Sequence, residues 1–331
     1  MITKALIAAA MLLPMGAAYA DTDRPGDADS IWTIRGENDV MSTLPHGSDQ
    51  DYTAGQQIGW TSGVQAVPDF AASLAQSLWG DGTTRVGLGL TQQLYTPTNT
   101  ALAVPDPNDR PYAGYLAVTG SLMHDTANTR DFLALSLGVI GPWALGEQTQ
   151  NDFHTLINDA NALGWSHQLP NEAAVELLDQ RTWRMPIGQF AGLEADVLPA
   201  VAVGVGTVRD YVQVATVVRI GHGLEHDFGV SRIRPGISGG DAFEDSNELS
   251  WYVFGGLNGQ GVARDAFLDG DLFTPSAHVE RIPYVGEMEA GLSLIWRGVR
   301  LTYVQTWQTA EFRHQATHLF NFGSLALSVR F

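Results

Sequence analysis

The sequence predicts an all-β protein, a transmembrane antiparallel β-barrel of about twelve strands with a short helix in one outer loop. Three observations lead to this fold class. Many segments alternate apolar and polar residues with a period of two, which is typical of strands with two different faces. No stretch after residue 20 has the eighteen or more apolar residues of a membrane-spanning helix. The chain also ends in a strand-like segment whose last residue is Phe331.

The alternation by itself leaves two folds open. From Gly298 onward, Val299, Leu301 and Tyr303 fall on one face of a strand, and Arg300 and Thr302 on the other. A soluble β-sandwich exposes its polar face to water, whereas a membrane barrel turns its apolar face to lipid and its polar face to the lumen. A last strand that finishes on a phenylalanine is typical of bacterial outer-membrane barrels, so it favours the barrel.

Alternating segments separated by turn residues predict twelve strands, an even number, as single-chain bacterial barrels require. No internal repeat or low-complexity linker divides them, so we expect one domain. The predicted strands start near Ile31, Tyr52, Thr84, Tyr112, Asp131, Val175, Gly192, Tyr211, Leu249, Tyr284, Gly298 and Leu319.

The first twenty residues have the pattern of a secretory signal peptide. Lys4 supplies the positive start, Ala5 to Leu13 form an apolar segment, and Ala18-Tyr19-Ala20 is a small-x-small cleavage site. We therefore expect a signal peptide at residues 1–20 and the barrel domain at residues 21–331, located in the bacterial outer membrane.

Composition excludes several kinds of function. Cysteine is absent, so the chain has no disulfide, thiol nucleophile or thiolate metal site. The formal net charge is −18, and Lys4 is the single lysine. Nucleic acids bind through lysine and arginine that release counterions, so we expect no nucleic-acid partner. Divalent cations suit such a chain better, although a solvated acidic surface is the alternative.

The topology predicts where the unusual connections meet. If both chain ends lie in the periplasm, the connections after strands one, three and five open at the same outer rim. These are Gly36 to Gly55, Tyr95 to Gly114 and Gly141 to Leu169. The connections between strands two and three and between eight and nine are also long, although periplasmic turns are usually short.

The segment Gly146 to Asn158 carries a candidate catalytic base. On a helix, Gln150, Asn151 and His154 share a face, since they are three and four residues apart. A neutral imidazole can take a proton from water near pH 7. The neighbouring apolar stripe, formed by Phe153, Leu156 and Ile157, is expected to pack against the rim. The alternative is a hydrogen-bonding surface histidine.

A candidate cation site flanks the first outer connection. Asn38 and Asp39 precede it, and Tyr52 and Thr53 follow it, so oxygen-bearing side chains come together on adjacent strands. Calcium takes such a ligand set of carboxylate, carbonyl and water oxygens. Turn-forming Asn and Asp explain the same residues equally well.

A candidate nucleophile is rejected. Ser238 is the centre of GISGG, which matches the G-x-S-x-G pattern. That pattern needs a strand before the serine and a helix after it, and the surrounding Pro235 and glycines indicate a loop instead.

Several motifs together resemble one family over nearly the whole chain. They are END at Glu37 to Asp39, DYTAG at Asp51 to Gly55, YTP at Tyr95 to Pro97, DRPYAG at Asp109 to Gly114, GVIGPWALGEQTQNDFH at Gly138 to His154, GWSHQLPNE at Gly164 to Glu172, LDG at Leu268 to Gly270, and the terminal GSLALSVRF. In this order they resemble the outer-membrane lipid A 3-O-deacylases.

The resemblance implies a calcium-dependent esterase that removes the 3'-linked acyloxyacyl chain from lipid A. It makes His154 the general base that activates water. Around it would lie Gln150 and the metal-site residues Asn38, Asp39 and Thr53.

The resemblance also implies where the substrate binds. Arg110 and Tyr95 are expected to contact it, with Arg110 partly replacing basic residues that this chain lacks, and Ala160 falls near the place of an acidic residue in the family. The expected partners are lipopolysaccharide and the membrane bilayer, with the protein a monomer. An outer-membrane phospholipase and a non-enzymatic pore or scaffold barrel are the alternatives.

Overall fold

The computed structural model describes residues 29–42, 50–233 and 240–331. The predicted signal peptide and Ser238 lie outside these ranges. No helix within them is long and apolar enough to cross a membrane.

The described chain forms one antiparallel sheet that closes on itself. Each strand pairs with the next along the chain, and β1 closes the barrel by pairing with β12. The strands are β1 Ile31–Asn38, β2 Asp51–Thr61, β3 Thr83–Thr96, β4 Ala113–Asp125, β5 Thr129–Ile140, β6 in two segments, Glu172–Trp183 and Met185–Phe190, β7 Leu193–Gly206, β8 Arg209–His222, β9 Ser250–Asp265, β10 Tyr284–Trp296, β11 Val299–Thr309 and β12 Leu319–Arg330. The helices are α1 Asp69–Trp79, α2 Gly146–Ile157 and α3 Ala266–Asp269.

The predicted fold class is confirmed. Both segments of β6 pair with β7, so the closed barrel has twelve strands, and each starts within three residues of its predicted position. We call the rim at which β1 begins and β12 ends the periplasmic rim, and the opposite one the outer rim.

The barrel wall has an apolar outside and a polar inside. In β1, Trp32 and Ile34 point outward and are exposed, whereas Thr33 and Arg35 point inward and are buried. This alternation suits a strand between lipid and lumen, because hydrocarbon accepts the apolar row and the lumen accepts the polar one.

The long connection between β8 and β9 is a plug. Residues 223–233 and 240–249 enter the lumen from the periplasmic rim and contact opposite walls. The backbone oxygen of Ala242 accepts a hydrogen bond from Arg130 of β5 at 3.2 Å, and the backbone oxygen of Phe243 accepts one from Arg330 of β12 at 2.6 Å. Buried polar groups need such partners, because an unpaired one inside a protein is costly. The plug explains why this periplasmic connection is long.

The plug is held by buried ion pairs. Arg219 of β8 binds the carboxylates of Asp196 and Asp227, each at 2.5 Å. Farther toward the outer rim, Arg232 of the plug binds Glu287 at 2.7 Å and Glu289 at 3.3 Å. Removing one member of such a pair would leave an unpaired charge inside the barrel, which is costly. The ion pairs therefore attach the plug to the wall at two heights.

Helix α1 explains the other long periplasmic connection. Its buried residues Ala71 and Ala75 pack against Leu122, which points outward from β4. The helix therefore lies on the outside of the barrel. Its exposed residues, Phe70, Leu74 and Leu78, continue the apolar surface of the wall.

A carboxylate pair lies at the outer rim. Glu172, at the start of β6, accepts hydrogen bonds from the backbone nitrogens of Leu272 and Phe273 at 2.7 and 3.1 Å. Asp271 is therefore held beside it. Burial raises the pKa of Asp271 to about 6, repulsion from Glu172 adds to the rise, and Arg264 opposes it.

This pair predicts pH-dependent stability. A carboxyl group with a raised pKa destabilises the folded state once it is charged, so the penalty develops between about pH 4 and pH 6 and persists above. Asp271→Asn is expected to raise the melting temperature at pH 7.5 by roughly 2–4 °C, since solvent screening leaves a penalty of about 1 kcal/mol. At pH 4 wild type and variant should melt together. Equal melting at both pH values would contradict the assignment.

Candidate active site

Helix α2 lies on the lipid-facing side of the barrel wall. It contacts β3 and β4 at the outer rim, where Gly114 belongs to the same outward row as the exposed Val118. A Cβ on Gly114 would lie 3.2 Å from the Cβ of Ala144, and one on Gly146 would lie 2.7 Å from the Trp165 ring. These two glycines allow the helix and its flanking loop to touch the wall directly.

Hydrogen bonds from one glutamine fix the helix to the wall. Gln92, on the outward row of β3, donates to the backbone oxygen of Ala144 at 2.6 Å. Its amide oxygen accepts from Thr149 of α2 at 3.1 Å and from Gln56 of β2 at 2.7 Å. The start of α2 therefore has a defined position over β2 and β3.

The buried face of α2 is polar, contrary to the expectation from its sequence. Gly146, Gln150 and His154 are buried against the wall. The apolar stripe expected to pack against the rim is instead exposed, and Leu156 is 81% accessible. The reason is that this surface faces lipid instead of water. Apolar side chains can remain exposed there, whereas polar side chains must turn to the wall, where they find hydrogen-bond partners.

The ring of His154 is buried and oriented. Its Nδ1 lies 2.6 Å from the backbone oxygen of Ala160, which can only accept a hydrogen bond. Nδ1 therefore carries the proton of the neutral ring, and Nε2 carries the lone pair. Ala160 stands where the family resemblance implies an acidic residue, and its carbonyl provides the acceptor that orients the ring.

Asn151 holds the segment that supplies this carbonyl. Its side-chain oxygen accepts from the nitrogen of Ala162 at 2.9 Å, and its side-chain nitrogen lies 3.3 Å from the oxygen of Ala162. Asn151 was predicted to share a helix face with Gln150 and His154. Its side chain binds the loop that follows the helix.

The side-chain amide of Gln150 is buried on the same side of α2 as His154. Its amide oxygen accepts a hydrogen bond from the indole nitrogen of Trp165 at 2.7 Å. This contact fixes the amide so that Nε2 is the remaining donor. Nε2 is buried and has no hydrogen-bond partner in the part of the chain that the structure describes. A buried donor of this kind is suited to an oxygen atom of a substrate.

Asn38 and Thr53 lie on the same outward face. Asn38 ends β1, on the row that also contains Trp32 and Ile34, and its backbone is paired with Ala54. Thr53 is the extra residue of a β-bulge in β2, and its hydroxyl lies 2.6 Å from that of Thr96. Bulges commonly re-aim a side chain next to a functional site.

Asp39 begins the short turn that follows β1. It is fully buried, and its carboxylate accepts a hydrogen bond from the nitrogen of Gln50 at 3.3 Å. The amide oxygen of Asn38 caps the same turn by accepting from the nitrogen of Val40 at 2.7 Å. Two short-range contacts therefore set the positions of both side chains.

Packing connects these residues with α2. Ala54, the neighbour of Thr53 and the partner of Asn38, packs against a cluster that includes Leu94, Ala162 and Trp165. Trp165 binds Gln150, and Ala162 belongs to the segment that orients His154. The structure thus brings the first, third and fifth connections together on one wall.

The donor set near Asp39 fits a hard cation. One carboxylate, one amide and one hydroxyl are oxygen ligands of the kind that calcium prefers, with carbonyls and water completing the shell. In residues 29–42, 50–233 and 240–331 there is no group of three or more His, Cys, Asp or Glu arranged for a metal ion. An ion here would depend mainly on neutral oxygens.

Two residues expected to bind substrate lie elsewhere. The side chain of Arg110 is 1% exposed, forms an ion pair with Glu311, and lies 3.6 Å from Asp51. Tyr95 stacks on Phe267, with ring centroids 4.2 Å apart, on the inward side of β3. Both residues stabilise the interior of the outer rim and are not brought to the face that carries His154.

Sequence reasoning missed three residues that build the site: Gln92, Thr96 and Trp165. Each makes its contact through a hydrogen bond to a distant segment of the chain. Ala160 was singled out from the sequence, but the role of its backbone carbonyl was not. Trp165 and Thr96 do lie within the GWSHQLPNE and YTP motifs, which was the available signal.

Comparison with known proteins agrees with this architecture. A family model described as outer membrane protein LpxR matches residues 5–331. The chain belongs to the LpxR family. It is therefore an outer-membrane barrel, as predicted. Its structure superposes on LpxR from Salmonella typhimurium with a TM-score of 0.73 and 21% identity, covering 91% of this chain and 100% of that chain.

Other solved barrels are less similar to this chain. The β-domain of the Bordetella autotransporter BrkA gives a TM-score of 0.45 at 10% identity, covering 92% of this chain and 99% of that one. The transport unit of AIDA-I from Escherichia coli gives 0.39 at 11% identity, covering 99% and 96%. A search of the curated proteins found no match.

Proposed function

We propose that this LpxR-family protein is a lipid A deacylase that hydrolyses the ester of the 3'-linked acyloxyacyl chain. The observation that carries the proposal is an oriented imidazole, His154, buried on the lipid-facing wall rather than in the lumen. A lipid ester in the outer leaflet can reach this wall without leaving the membrane. Family membership and the motif resemblance support the substrate class.

In the proposed reaction His154 acts as general base. Its Nε2 removes a proton from a water molecule while the water oxygen attacks the ester carbonyl carbon. The carbonyl π electrons move to oxygen and give a tetrahedral oxyanion. When the intermediate collapses, the bond to the sugar oxygen breaks, and the protonated His154 returns the proton to that oxygen. The products are a free fatty acid and a sugar hydroxyl.

Gln150 would stabilise the oxyanion. Its Nε2 is a buried donor whose direction is set by the bond between its oxygen and Trp165. Such a donor needs no reorganisation during the reaction, which is why preorganised donors lower the barrier more than water does. The exposed apolar residues of α2 would keep the acyl chains in lipid beside the ester.

Asp39, Asn38 and Thr53 would hold a calcium ion. Bound there, the ion would supply positive charge that polarises the ester carbonyl. The backbone of the chain would position the three side chains. The bulge at Thr53 aims its hydroxyl along the outer face, and the cap made by Asn38 fixes the turn that carries Asp39.

Removal of calcium tests this assignment. A chelator is expected to stop deacylation, and Thr53→Val should lower the rate at limiting calcium by roughly 10–100-fold, with recovery at high calcium. The matched control is Thr119→Val, which removes a lumen-facing hydroxyl bonded to Ser136 at 2.8 Å. Lipid A mass spectrometry measures the released chain. Equal rates for both variants, with and without chelator, would contradict a metal at Thr53.

The substrate is tested directly by mass spectrometry. Expression of the protein should produce lipid A that lacks the 3'-linked chain, while glycerophospholipids keep both esters. Loss of phospholipid esters instead would assign the protein to the phospholipases. The plug disfavours the other alternative, an open pore, because it crosses the lumen and its residues bind opposite walls.

A further inference from the structure

A concave surface lies on the outside of the barrel, across from the candidate active site. The site occupies β1 to β4, and the groove lies on β8 to β11, which the closed strand order places on the other side. It is a shallow groove, open toward the membrane, with a volume of about 840 Å³.

Glycines create this groove. Gly259 of β9 and Gly286 of β10 are directly paired, and Gly261 lies two residues farther toward the outer rim. All three alternate with inward-facing residues, so they point toward lipid. The side chains of Val214 and Tyr284 stand above this glycine floor. The groove is therefore an apolar depression in the lipid-facing surface of the wall.

The groove opens at the outer rim. Tyr284, which is 78% exposed, is the first residue of β10, and His318 lies in the connection just before β12. A lipid whose head group sits at this rim would place its first methylene groups in the groove. Tyrosine is favoured at that depth, because its ring is apolar and its hydroxyl is polar.

Positive charge at the outer rim lies on this side. The outer connections contain three arginines, of which Arg110 is buried near the lumen. The other two belong to the connections above the groove. Arg281 is bonded to Asp269 at 2.9 Å, and Arg313 pairs with Glu280 in an exposed contact at 2.5 Å. An exposed ion pair is weak, so a phosphate can compete for its guanidinium.

We propose that the groove binds one acyl chain of an intact lipopolysaccharide molecule, separate from the substrate, with a head-group phosphate near Arg313 and His318. The groove is continuous with the lipid-facing wall, so an acyl chain is the occupant that this surface meets. The nearby guanidinium favours an anionic lipid, and lipopolysaccharide is the anionic lipid of the outer leaflet. Affinity comes from burying apolar surface, and selectivity comes from the phosphate.

A pair of glycine substitutions tests the proposal. Gly259→Leu fills the groove, and Gly120→Leu adds the same side chain to the outer face of β4. A Cβ at either position meets nothing within 4 Å, so both variants should fold. Native mass spectrometry of barrels extracted from lipopolysaccharide-containing membranes should show bound lipopolysaccharide falling at least tenfold for Gly259→Leu only. Arg313→Ala should give a smaller loss, and deacylation should be unchanged in all three.

Other outcomes overturn the proposal. Equal lipopolysaccharide occupancy in the two leucine variants would mean that the groove holds no specific lipid. A bound phospholipid lost from Gly259→Leu, or a dimer that this variant dissociates, would assign the groove to that occupant instead. The lipid count does not depend on catalysis. Wild-type protein that binds lipopolysaccharide but releases no acyl chain would refute the proposed function and leave this site standing.

Discussion

Replacement of His154 by alanine is expected to lower the rate of lipid A deacylation by roughly 10²–10⁴-fold, the usual contribution of a general base. The reason is local. Nδ1 is occupied by the carbonyl of Ala160, so Nε2 is the ring atom that can take a proton from water. Without it, water would have to attack the ester unassisted. The measurement is release of the 3'-linked chain, followed by lipid A mass spectrometry.

Two further variants distinguish the loss of a general base from the loss of side-chain packing at His154. His154 is 4% exposed, so alanine leaves a gap, whereas His154→Gln fills most of the space and still offers a donor to Ala160. Both should be inactive if the base matters. His167→Ala removes an exposed histidine from the same connection and should remain active. All variants should keep the heat-modifiable electrophoretic band of a folded barrel. Undiminished release by either His154 variant would refute the role.

The barrel could be predicted from sequence because its physical cause is local. A strand between lipid and lumen must alternate, so each segment shows its own pattern, and twelve such patterns gave all twelve strands. The plug could not be predicted in this way. The sequence from residue 223 to residue 249 alternates neither with the period of a strand nor with that of a helix. The position of its described parts, residues 223–233 and 240–249, depends on ion pairs with arginines far away in the chain, such as Arg35 and Arg300.

The candidate site shows the same division. Helical spacing placed Gln150 and His154 on one face, which the structure reproduces, since both are buried on the same side of α2. The direction of that face was predicted wrongly, because apolar residues usually mark the packed side of a helix, and on a lipid-facing wall they mark the free side. Arg110 was expected at the substrate. Its burial beside Glu311 depends on a pairing 201 residues away, which no local pattern reveals.

Replacement of Asp227 by asparagine is expected to release the plug and open the lumen. Asp227 binds Arg219 at 2.5 Å and Arg300 at 3.4 Å, and it accepts a hydrogen bond from Tyr252 at 2.8 Å. The substitution keeps the shape but removes the charge shared by two buried guanidinium groups. Breaking a buried ion pair by removing one partner costs about 3–5 kcal/mol, enough to favour a displaced plug.

Conductance in a planar bilayer measures this opening. Wild-type protein should pass little current, because the plug contacts opposite walls, and Asp227→Asn should show frequent openings. Glu225→Gln is the matched control, since it removes an exposed carboxylate two residues away. If Asp227→Asn fails to fold, Tyr252→Phe removes only one hydrogen bond, about 1 kcal/mol, and should give rarer openings. A closed lumen in both variants would mean that contacts elsewhere, such as those of Arg232, are sufficient to hold the plug in place.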